Sequence, residues 1–462
     1  MAEIDRRRFL KVAGFTGAAA GVASVTGGCA SGGGSPTGRP VRIGVVSSQT
    51  GSLAGFGESD AVVLVNIQET FKHGIQIGGK AYPVEILVKD NGSQPERAGE
   101  VASDLIDSSK VDLLLTAGAP EVVNPVSDAA EKAGTPSLST SAPWEPWFIG
   151  RQRDPNNPAS WKSFNWTYHF FWGLEDIVRV FSDIWQQVPT DNKVVASLFA
   201  RNADGNAWAD PRNGLPGALG SRGYAFVQDP RPVDGANDFS KLLHNFMAQD
   251  AQILTGNPQP PDFATFWREA DADQFRPKIA TVGKALLFPA FIEVLTPSPA
   301  GLASEVWWHP TWPFKSSLTG QTCAEFAAQY ISQTHRQWTQ PIGPFHALFE
   351  VAVSVLQRAG LGDPQAIVDA IQNTSIDTIV GHLSGPPARR TRISCRPRGR
   401  TSPSPRLSAA SGSRHRAASS SSTWHWSPTP ATRRSRSPAR SRPCRRCNDR
   451  PPRGSIPQPP LG

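Results

Sequence analysis

The fold is decided by the stretch VRIGVVSSQTG at residues 41–51. Its first six residues are mostly β-branched, which predicts a buried strand, and the small and polar residues that follow predict a turn. Apolar residues then recur at helical spacing from Asp60 to Phe71. A strand, a turn and a helix in this order form the first half of a β-α-β unit, from which parallel sheets are built.

The same unit recurs along the chain. Further strands are predicted before an aromatic stretch at 144–172, and again after it, at 84–88, 111–115, 136–139, 193–199, 224–227, 251–255 and 278–282. Helices are predicted at 95–108, 121–132, 238–249, 263–271, 345–359 and 363–372. This alternation predicts an α/β protein with two doubly wound, Rossmann-like lobes joined by a hinge.

Ten large aromatic rings lie in the stretch from Trp144 to Trp172. Trp166 and Trp172 could line a cleft between the lobes and select a large or apolar ligand, or the stretch could fill the hinge or a subunit contact. Because large aromatic side chains most often serve protein cores, we expect packing for most of them and cleft contact for one or two. The same two interpretations, contact with a ligand in the cleft or packing in the core, are open for Trp307, Trp308 and Trp312.

Charge is divided unevenly along the chain, although the whole carries a net charge of +8. Residues 385–462 hold 18 Arg, no Lys and one acid, which gives +17, and residues 1–384 hold 29 basic and 38 acidic residues, which gives −9. The basic excess that would suggest nucleic acid or anionic lipid as a partner is therefore confined to the tail. No run of about 18 apolar residues occurs, which excludes a polytopic membrane protein.

The first 28 residues are typical of an export signal. DRRRFLK at 5–11 resembles the twin-arginine signal, and a weakly apolar run follows at 12–25. The small residues before Cys29 resemble a lipobox, so Cys29 is predicted to receive lipid, and a Gly/Ser linker at 30–36 suits a tether. The alternative is a cleaved signal with an incidental cysteine. The predicted location is the cell envelope, either lipid-anchored on the outer face of the cytoplasmic membrane or periplasmic.

Signatures of enzymes are lacking between residues 40 and 384. The first strand is not followed by the GxGxxG that a nucleotide-dependent oxidoreductase needs, no GxSxG nucleophile elbow occurs, and the histidines show no metal-ligand spacing. Cys323 is the one cysteine between Cys29 and the tail, and its helical context predicts a small core residue. We therefore expect no enzymatic activity, no cofactor and no metal.

The order of these elements resembles one family, the extracytoplasmic solute-binding proteins of ABC importers, in the leucine/isoleucine/valine-type branch (periplasmic binding protein type I). The residues that carry the resemblance are RIGV at 42–45, TGSLA at 50–54, VKDNG at 88–92, PIGP at 341–344 before the late helix pair, and TIVG at 378–381. The match covers about residues 40–384.

This resemblance implies two lobes that close on a small ligand and present it to permease subunits in the membrane. The predicted divisions are a signal at 1–28, a linker at 29–39, lobe 1 at 40–165, lobe 2 at 166–285, a second part of lobe 1 at 286–359, a return to lobe 2 at 360–384, and the tail at 385–462. The predicted function is capture of an amino acid, an amide or a small carboxylate; the alternative is a receptor that signals to a partner protein.

Ligand-binding residues are predicted where the strands end, because open α/β sheets bind ligands at the carboxyl ends of their strands. In lobe 1, hydroxyls and free backbone N–H groups suit an anionic group such as a carboxylate, and the candidates are Ser52, Phe56, Gly118, Ala119, Ser139 and Thr140. In lobe 2 they are Asn202, Asp204, Asn257 and Lys284.

The roles of the lobe 2 candidates stay open. The resemblance implies that Asp204 pairs with a ligand ammonium, although Asp204 and Gly205 could be a plain turn pair and Lys284 a solvated loop end. The family's aromatic wall in lobe 2 is not cleanly matched, because Asn-Ala-Trp at 206–208 stands in its place. Amino-acid specificity therefore does not follow from the resemblance.

The tail at 385–462 is rich in Arg, Ser and Pro and has no periodicity, which predicts disorder. It could be a basic arm for nucleic acid, a partner that an exported protein would not meet. The tail could instead be the product of a shift in the reading frame of the gene. With suitable codons, LSAASG at 407–412 becomes Val-Gly-Gly-Gln-Trp when it is read one base earlier, and related binding proteins often carry this sequence near their end. We favour the frameshift, which would leave lobe 2 incomplete and less stable.

Overall fold

Strands and helices alternate along the chain. The structure is a computed structural model that describes residues 38–296 and 298–385 together with the strand at Leu407–Ala409. The predicted signal, Cys29, nearly all of the linker and the rest of the tail lie outside the described residues. None of the described helices is long and apolar enough to span a bilayer.

Fifteen strands are described, numbered here in chain order. They are β1 Val41–Ser47, β2 Ile75–Ile77, β3 Lys80–Tyr82, β4 Val84–Asp90, β5 Leu113–Ala117, β6 Ser137–Thr140, β7 Thr167–Phe170, β8 Val194–Leu198, β9 Ala225–Val227, β10 Ile253–Gly256, β11 Ile279–Val282, β12 Leu302–Ala303, β13 Ser375–Thr378, β14 Gly381–Ser384 and β15 Leu407–Ala409.

The α-helices of the described residues are numbered in the same way. They are α1 Asp60–Thr70, α2 Pro95–Asp107, α3 Pro120–Ala133, α4 Trp144–Phe148, α5 Leu174–Trp185, α6 Ala203–Ala209, α7 Leu215–Leu219, α8 Ser240–Ala248, α9 Pro260–Ala272, α10 Pro289–Ile292, α11 Cys323–Thr334, α12 Ile342–Ala359 and α13 Pro364–Gln372.

The first sheet has the strand order β15-β7-β6-β5-β1-β4. Its pairings are parallel except that of β15, which runs antiparallel to β7 at the edge. Strand β1 is buried almost throughout because helices cover both faces of the sheet, and this explains its continuous apolar run. Ile43 and Val45 pack in one core with α12, while Val46 packs in another with α2 and α3.

The second sheet has the order β9-β8-β10-β11-β12, and all its pairings are parallel. The two faces of this sheet are also covered by different helices. Val195 packs in one core with α5 and α7, whereas Ala196 and Leu198 pack in another with α8 and α9. The alternation of neighbouring residues between the two cores follows from the two-residue period of a strand.

Three predicted boundaries are wrong. The first sheet continues past residue 165, because β7 pairs with β6. The second continues past 285, because β12 pairs with β11. Residues 360–384 belong with the first lobe, because α13 and β14 contribute Ile367, Ile371 and Leu383 to the same core as β1. The chain thus crosses from the first sheet to the second after β7 and returns after β12.

The buried Glu350 on α12 explains why residues 375–384 stay with the first lobe. Its carboxylate accepts hydrogen bonds from the backbone N–H of Ser317, at 2.5 Å, and of Ile379, at 3.0 Å. Burial raises the pKa of Glu350 to about 7. These bonds fix the turn between β13 and β14 on α12, an association of distant residues that sequence spacing does not indicate.

Most rings of the aromatic stretch pack within the first lobe. Trp147 and Phe148 form a small cluster with Val123 of α3, and Trp147 stacks on His169 with ring centroids 4.9 Å apart. Trp166 packs beside Gly134 at the end of α3. The rings nearest the crossing, by contrast, line a cavity that is described with the site.

The first crossing between the lobes is braced by Glu145. This buried residue lies on α4 in the first lobe, and its carboxylate accepts hydrogen bonds of 2.9 and 2.8 Å from the backbone N–H of Leu174, the first residue of α5 in the second lobe. Burial and the neighbouring carboxyl of Glu175 raise the pKa of Glu145 well above its ordinary value. Folding therefore favours the protonated form of Glu145.

Replacing Glu145 by glutamine is expected to flatten the pH dependence of stability. Because the folded-state pKa of Glu145 is raised, its stabilising contribution is present below about pH 4 and is lost as pH rises through that pKa. Urea unfolding between pH 5 and 8 should show the wild type losing up to about 1.4 kcal/mol per pH unit more than Glu145→Gln. The other titratable groups are the same in both proteins, so their effects cancel when the two are compared. If the free energies of unfolding of the two proteins run parallel with pH, the prediction is wrong.

Candidate functional site

A cavity that is partly open to solvent lies between the carboxyl ends of the two sheets. The first lobe contributes Phe56, Ala119, Pro120, Ser141 and Pro143 to its lining. The second lobe contributes Ile177, Asp204, Trp208, Asn257 and Lys284, and the returning crossing contributes Glu305 and Trp307.

An ion cluster centred on Lys284 joins the lobes at this cavity. The ammonium Nζ of Lys284 lies 2.8 Å from Oε1 of Glu121, in the first turn of α3, and 2.8 Å from Oδ2 of Asp204, in the first turn of α6. The side chains of all three are at most 8% exposed. Charges this deeply buried require partners, and here each lobe supplies a carboxylate to the same ammonium.

The pKa values at the cluster reflect burial and pairing together. Burial alone would lower the pKa of Lys284, but the charges of Asp204 and Glu121 outweigh it and raise that pKa, so the ammonium stays charged. Burial raises the pKa of Glu121, and Lys284 offsets part of this effect. Burial also raises the pKa of Glu305, which accepts hydrogen bonds from Ser304 and from Nε1 of Trp307.

Local backbone structure explains how Asp204 and Lys284 reach the cleft. Asn202 caps α6, since its side chain accepts a hydrogen bond of 2.8 Å from the N–H of Gly205. Gly205 lies so close to the Ala200 carbonyl that a Cβ has no room, which presses the start of α6 against the end of β8. Lys284 directly follows Gly283 at the end of β11 and has φ +47°, an uncommon conformation for lysine that accompanies its role in the cluster.

Several polar atoms at the cavity have no hydrogen-bond partner among the described residues. They are both side-chain amide atoms of Asn257, Nε1 of Trp208, Oγ of Ser141 and Oδ1 of Asp204. Each of these residues is at most 4% exposed. A buried polar atom without a partner costs about 1–3 kcal/mol, so a molecule that supplied partners to these atoms would be stabilised in the cavity.

The structure brings half of the predicted site residues to this cavity, namely Phe56, Ala119, Asp204, Asn257 and Lys284. Gly118 is not in the lining, although a Cβ placed on it would lie 4.0 Å from the Cβ of Phe56. The others are used elsewhere: Asn202 as a helix cap, Ser139 in a 2.8 Å contact with His169, and Thr140 in a 2.7 Å bond to the Phe170 carbonyl. Ser52 is half-buried outside the lining. The alternative of Lys284 as a solvated loop end is wrong.

Sequence reasoning missed Glu121 and Glu305, whereas Ser141 ends the predicted strand-end segment at 139–141. Glu121 stands in the first turn of a helix, where an acidic residue commonly balances the helix dipole and so gives no signal of a pairing. Its partner Lys284 is far away in sequence. The position of Glu121 after β5, at the ligand-binding edge of the sheet, is the signal that could have identified it.

A second cavity lies beside the first and shares Trp307 with it. Its lining is mostly apolar and comprises Thr140, Phe170, Phe171, Trp172, Trp307, Pro344 and Val380. The rings at the end of the aromatic stretch thus lie at the crossing and beside the cleft. No group of three or more His, Cys, Asp or Glu side chains in the described residues is placed to hold a metal ion.

The sequence profile of the periplasmic binding protein family matches residues 40–395 of the chain. The chain therefore belongs to this family, which confirms the resemblance stated from the sequence. The family is a class of periplasmic binding proteins, and in this chain the cavity and its ion cluster lie between the two lobes.

Solved structures of three such proteins share the fold. A leucine-binding protein from Thermotoga maritima is 19% identical, with a TM-score of 0.59 over 74% of this chain and 90% of that one. The substrate-binding protein of a branched-chain amino acid transporter from Streptococcus pneumoniae, in complex with isoleucine, is 17% identical, with a TM-score of 0.58 over 75% and 92%.

The third is the solute-binding protein of an ABC transporter from Rhodopseudomonas palustris in complex with 3,4-dihydroxybenzoic acid. It is 17% identical, with a TM-score of 0.56 over 75% of this chain and 88% of that one. At these identities the likeness shows the fold, and the predicted two-lobed α/β architecture of periplasmic binding protein type I is confirmed.

Proposed function

We propose that this protein is the solute-binding component of an ABC-type importer and that it captures a small polar organic molecule by closure of its two lobes. The observation that carries the proposal is the side-chain amide of Asn257, which is buried at the interlobe cavity with neither atom partnered. A polar molecule bound in the cavity would supply the partners that these two atoms lack.

Closure couples binding to a change that a permease can detect. A ligand that satisfies groups of both lobes binds the closed state more tightly than the open one and so shifts the population toward closure. Asp204, Trp208 and Asn257 come from the second lobe and Ser141 from the first, so a molecule held between them links the lobes. Family membership and the transporter proteins that share the fold support the importer role.

The partner and the location follow from the same proposal. A receptor that delivers solute to permease subunits works outside the cytoplasm, which agrees with the twin-arginine-like sequence at 5–11 and with lipid attachment at Cys29. Cys29 lies outside the described residues. The acidic body and the absence of enzyme signatures from its sequence agree with a receptor that performs no chemistry and does not bind nucleic acid.

A ligand screen combined with one cavity variant tests the proposal. At least one member of a panel of amino acids, amides and organic acids is expected to raise the melting temperature of the wild type. Asn257→Leu, similar in size but apolar, is expected to raise the free energy of unfolding, because it removes two unsatisfied atoms, and to weaken binding of that compound at least tenfold.

Asn192→Leu is the matched control. Asn192 is half-buried, donates hydrogen bonds to Asp250 and lies before β8, at the opposite end of the strand from the cleft. This variant should lose stability and keep the ligand response. If no compound shifts a cooperative melt, or if Asn257→Leu responds as the wild type does, the proposal is wrong.

A further inference from the structure

The cleft is poorly equipped to hold an anion. Lys284 is the one basic side chain in its described lining, and both Asp204 and Glu121 already pair with that ammonium. Glu305 adds a third carboxyl group. A carboxylate ligand would bring further negative charge into a buried site where carboxyl groups outnumber ammonium groups three to one, and it would have to compete with two protein carboxylates for Lys284.

The first lobe offers little compensation at the point where backbone N–H groups could hold a carboxylate. Pro120 opens α3 and Pro143 precedes α4, and both line the cavity without an N–H. The side chain of Glu121 in the first turn of α3 places a negative charge at the positive end of that helix. The expectation that these loops suit an anionic group is therefore not supported, because the protein's own carboxylate occupies that role.

The unpartnered atoms define the complementary ligand. Oδ1 of Asp204 accepts only, so the ligand must present an N–H or O–H to it. Nε1 of Trp208 donates only, so the ligand must also carry an acceptor. Asn257 and Ser141 can each both donate and accept. An amine supplies no acceptor once protonated and a carboxylate supplies no donor, whereas a carboxamide supplies both from adjacent atoms without net charge.

We propose that the cleft recognises a small carboxamide, whose N–H groups donate to Oδ1 of Asp204 and whose carbonyl oxygen accepts from Trp208 or Asn257, and that it rejects the carboxylate of the same carbon skeleton. This inference rests on the proposed function, since it names the chemical class of the captured solute. The rings of Phe56 and Trp307 provide apolar walls for the carbon skeleton of the ligand.

Matched amides and acids test the inference in the wild-type protein. Isovaleramide with isovalerate and benzamide with benzoate are titrated by calorimetry at pH 7, with leucine and isopentylamine as further probes. At least one amide is expected to bind ten times or more tighter than its acid and tighter than leucine or the amine. Tighter binding of an acid, of leucine or of the amine than of any amide overturns the inference and leaves the proposed function standing. Binding of none of these probes also overturns the inference. If no member of the wider panel of amino acids, amides and organic acids binds, the proposed function is wrong as well.

A charge variant tests the cause of the selectivity. In Asp204→Asn, Lys284 loses one of its two carboxylates and becomes available to a ligand anion, so the ratio of acid to amide affinity should rise at least tenfold over the wild type. Glu121→Gln changes the same balance from the other lobe and serves where Asp204→Asn does not fold. An unchanged ratio in a folded variant overturns the charge argument. Asp191→Asn, which removes an exposed partner of Lys278 away from the cleft, should leave the ratio unchanged.

Discussion

Replacing Lys284 by methionine is expected to lower the free energy of unfolding at pH 7 by about 3–5 kcal/mol, the range found when one partner of a buried ion pair is removed. Methionine is close to lysine in size, so packing changes little. Glu121 and Asp204 would, however, remain buried near each other without the ammonium that lies 2.8 Å from each. Urea unfolding followed by circular dichroism measures the loss.

Two further variants show whether the loss comes from uncompensated charge. Lys278→Met removes an exposed lysine that also pairs with an aspartate, Asp191, and it should change stability little because water already solvates both groups. The triple variant Glu121→Gln, Asp204→Asn, Lys284→Met removes all three charges and should recover most of the lost stability. A loss in Lys284→Met no larger than that in Lys278→Met would contradict the prediction.

The second large effect is expected at the neighbouring tryptophans Trp307 and Trp308. Trp308 is fully buried in the first lobe, donates a hydrogen bond of 3.1 Å to the Ile379 carbonyl and packs against Gly343, where a Cβ has no room. Trp308→Ala should cost about 3–5 kcal/mol of unfolding free energy, because the rigid core around it closes only partly over the space.

Trp307→Ala is expected to act on binding instead. Its ring lines the cleft and lies 4.8 Å from the Phe171 ring and 6.0 Å from the Phe56 ring, measured between centroids. Its removal enlarges a cavity that already has polar walls and can admit water, so the stability loss should be the smaller of the two. Denaturation and ligand titration of both variants check this. If the two variants lose the same stability and bind the ligand with the same affinity, the separate roles assigned to Trp307 and Trp308 are wrong.

The sequence predicted the sheets well because strand patterns are local. The runs at 41–46 and 111–115 are apolar enough to identify buried strands without any knowledge of their neighbours. One local signal was missed: the Gly78-Gly79 pair between alternating residues marks the β2–β3 hairpin, and both glycines have positive φ. The lobe boundaries failed for another reason, since the placement of 360–384 depends on long-range contacts such as those of Glu350.

The site was predicted only in part because its chemistry depends on pairs of residues distant in sequence. Asp204, Asn257 and Lys284 follow strands of the second sheet, so the rule about strand ends identified them. That Lys284 pairs with Glu121 of the other lobe could not be predicted, since neither spacing nor composition relates them. The shifted frame proposed for 385–462 remains a prediction, and β15 within that segment pairs with β7.

The contact between Lys284 and Glu121 bears on how the receptor behaves when it is empty. Since the opposite charges of Lys284 and Glu121 attract the lobes to each other, they stabilise the closed state even when no solute is bound. If this raised the closed fraction of empty molecules from about 1% to about 50%, the apparent affinity for solute would improve about 50-fold. If the protein serves an importer as proposed above, a transporter that senses lobe position alone would then often meet receptors that carry no solute.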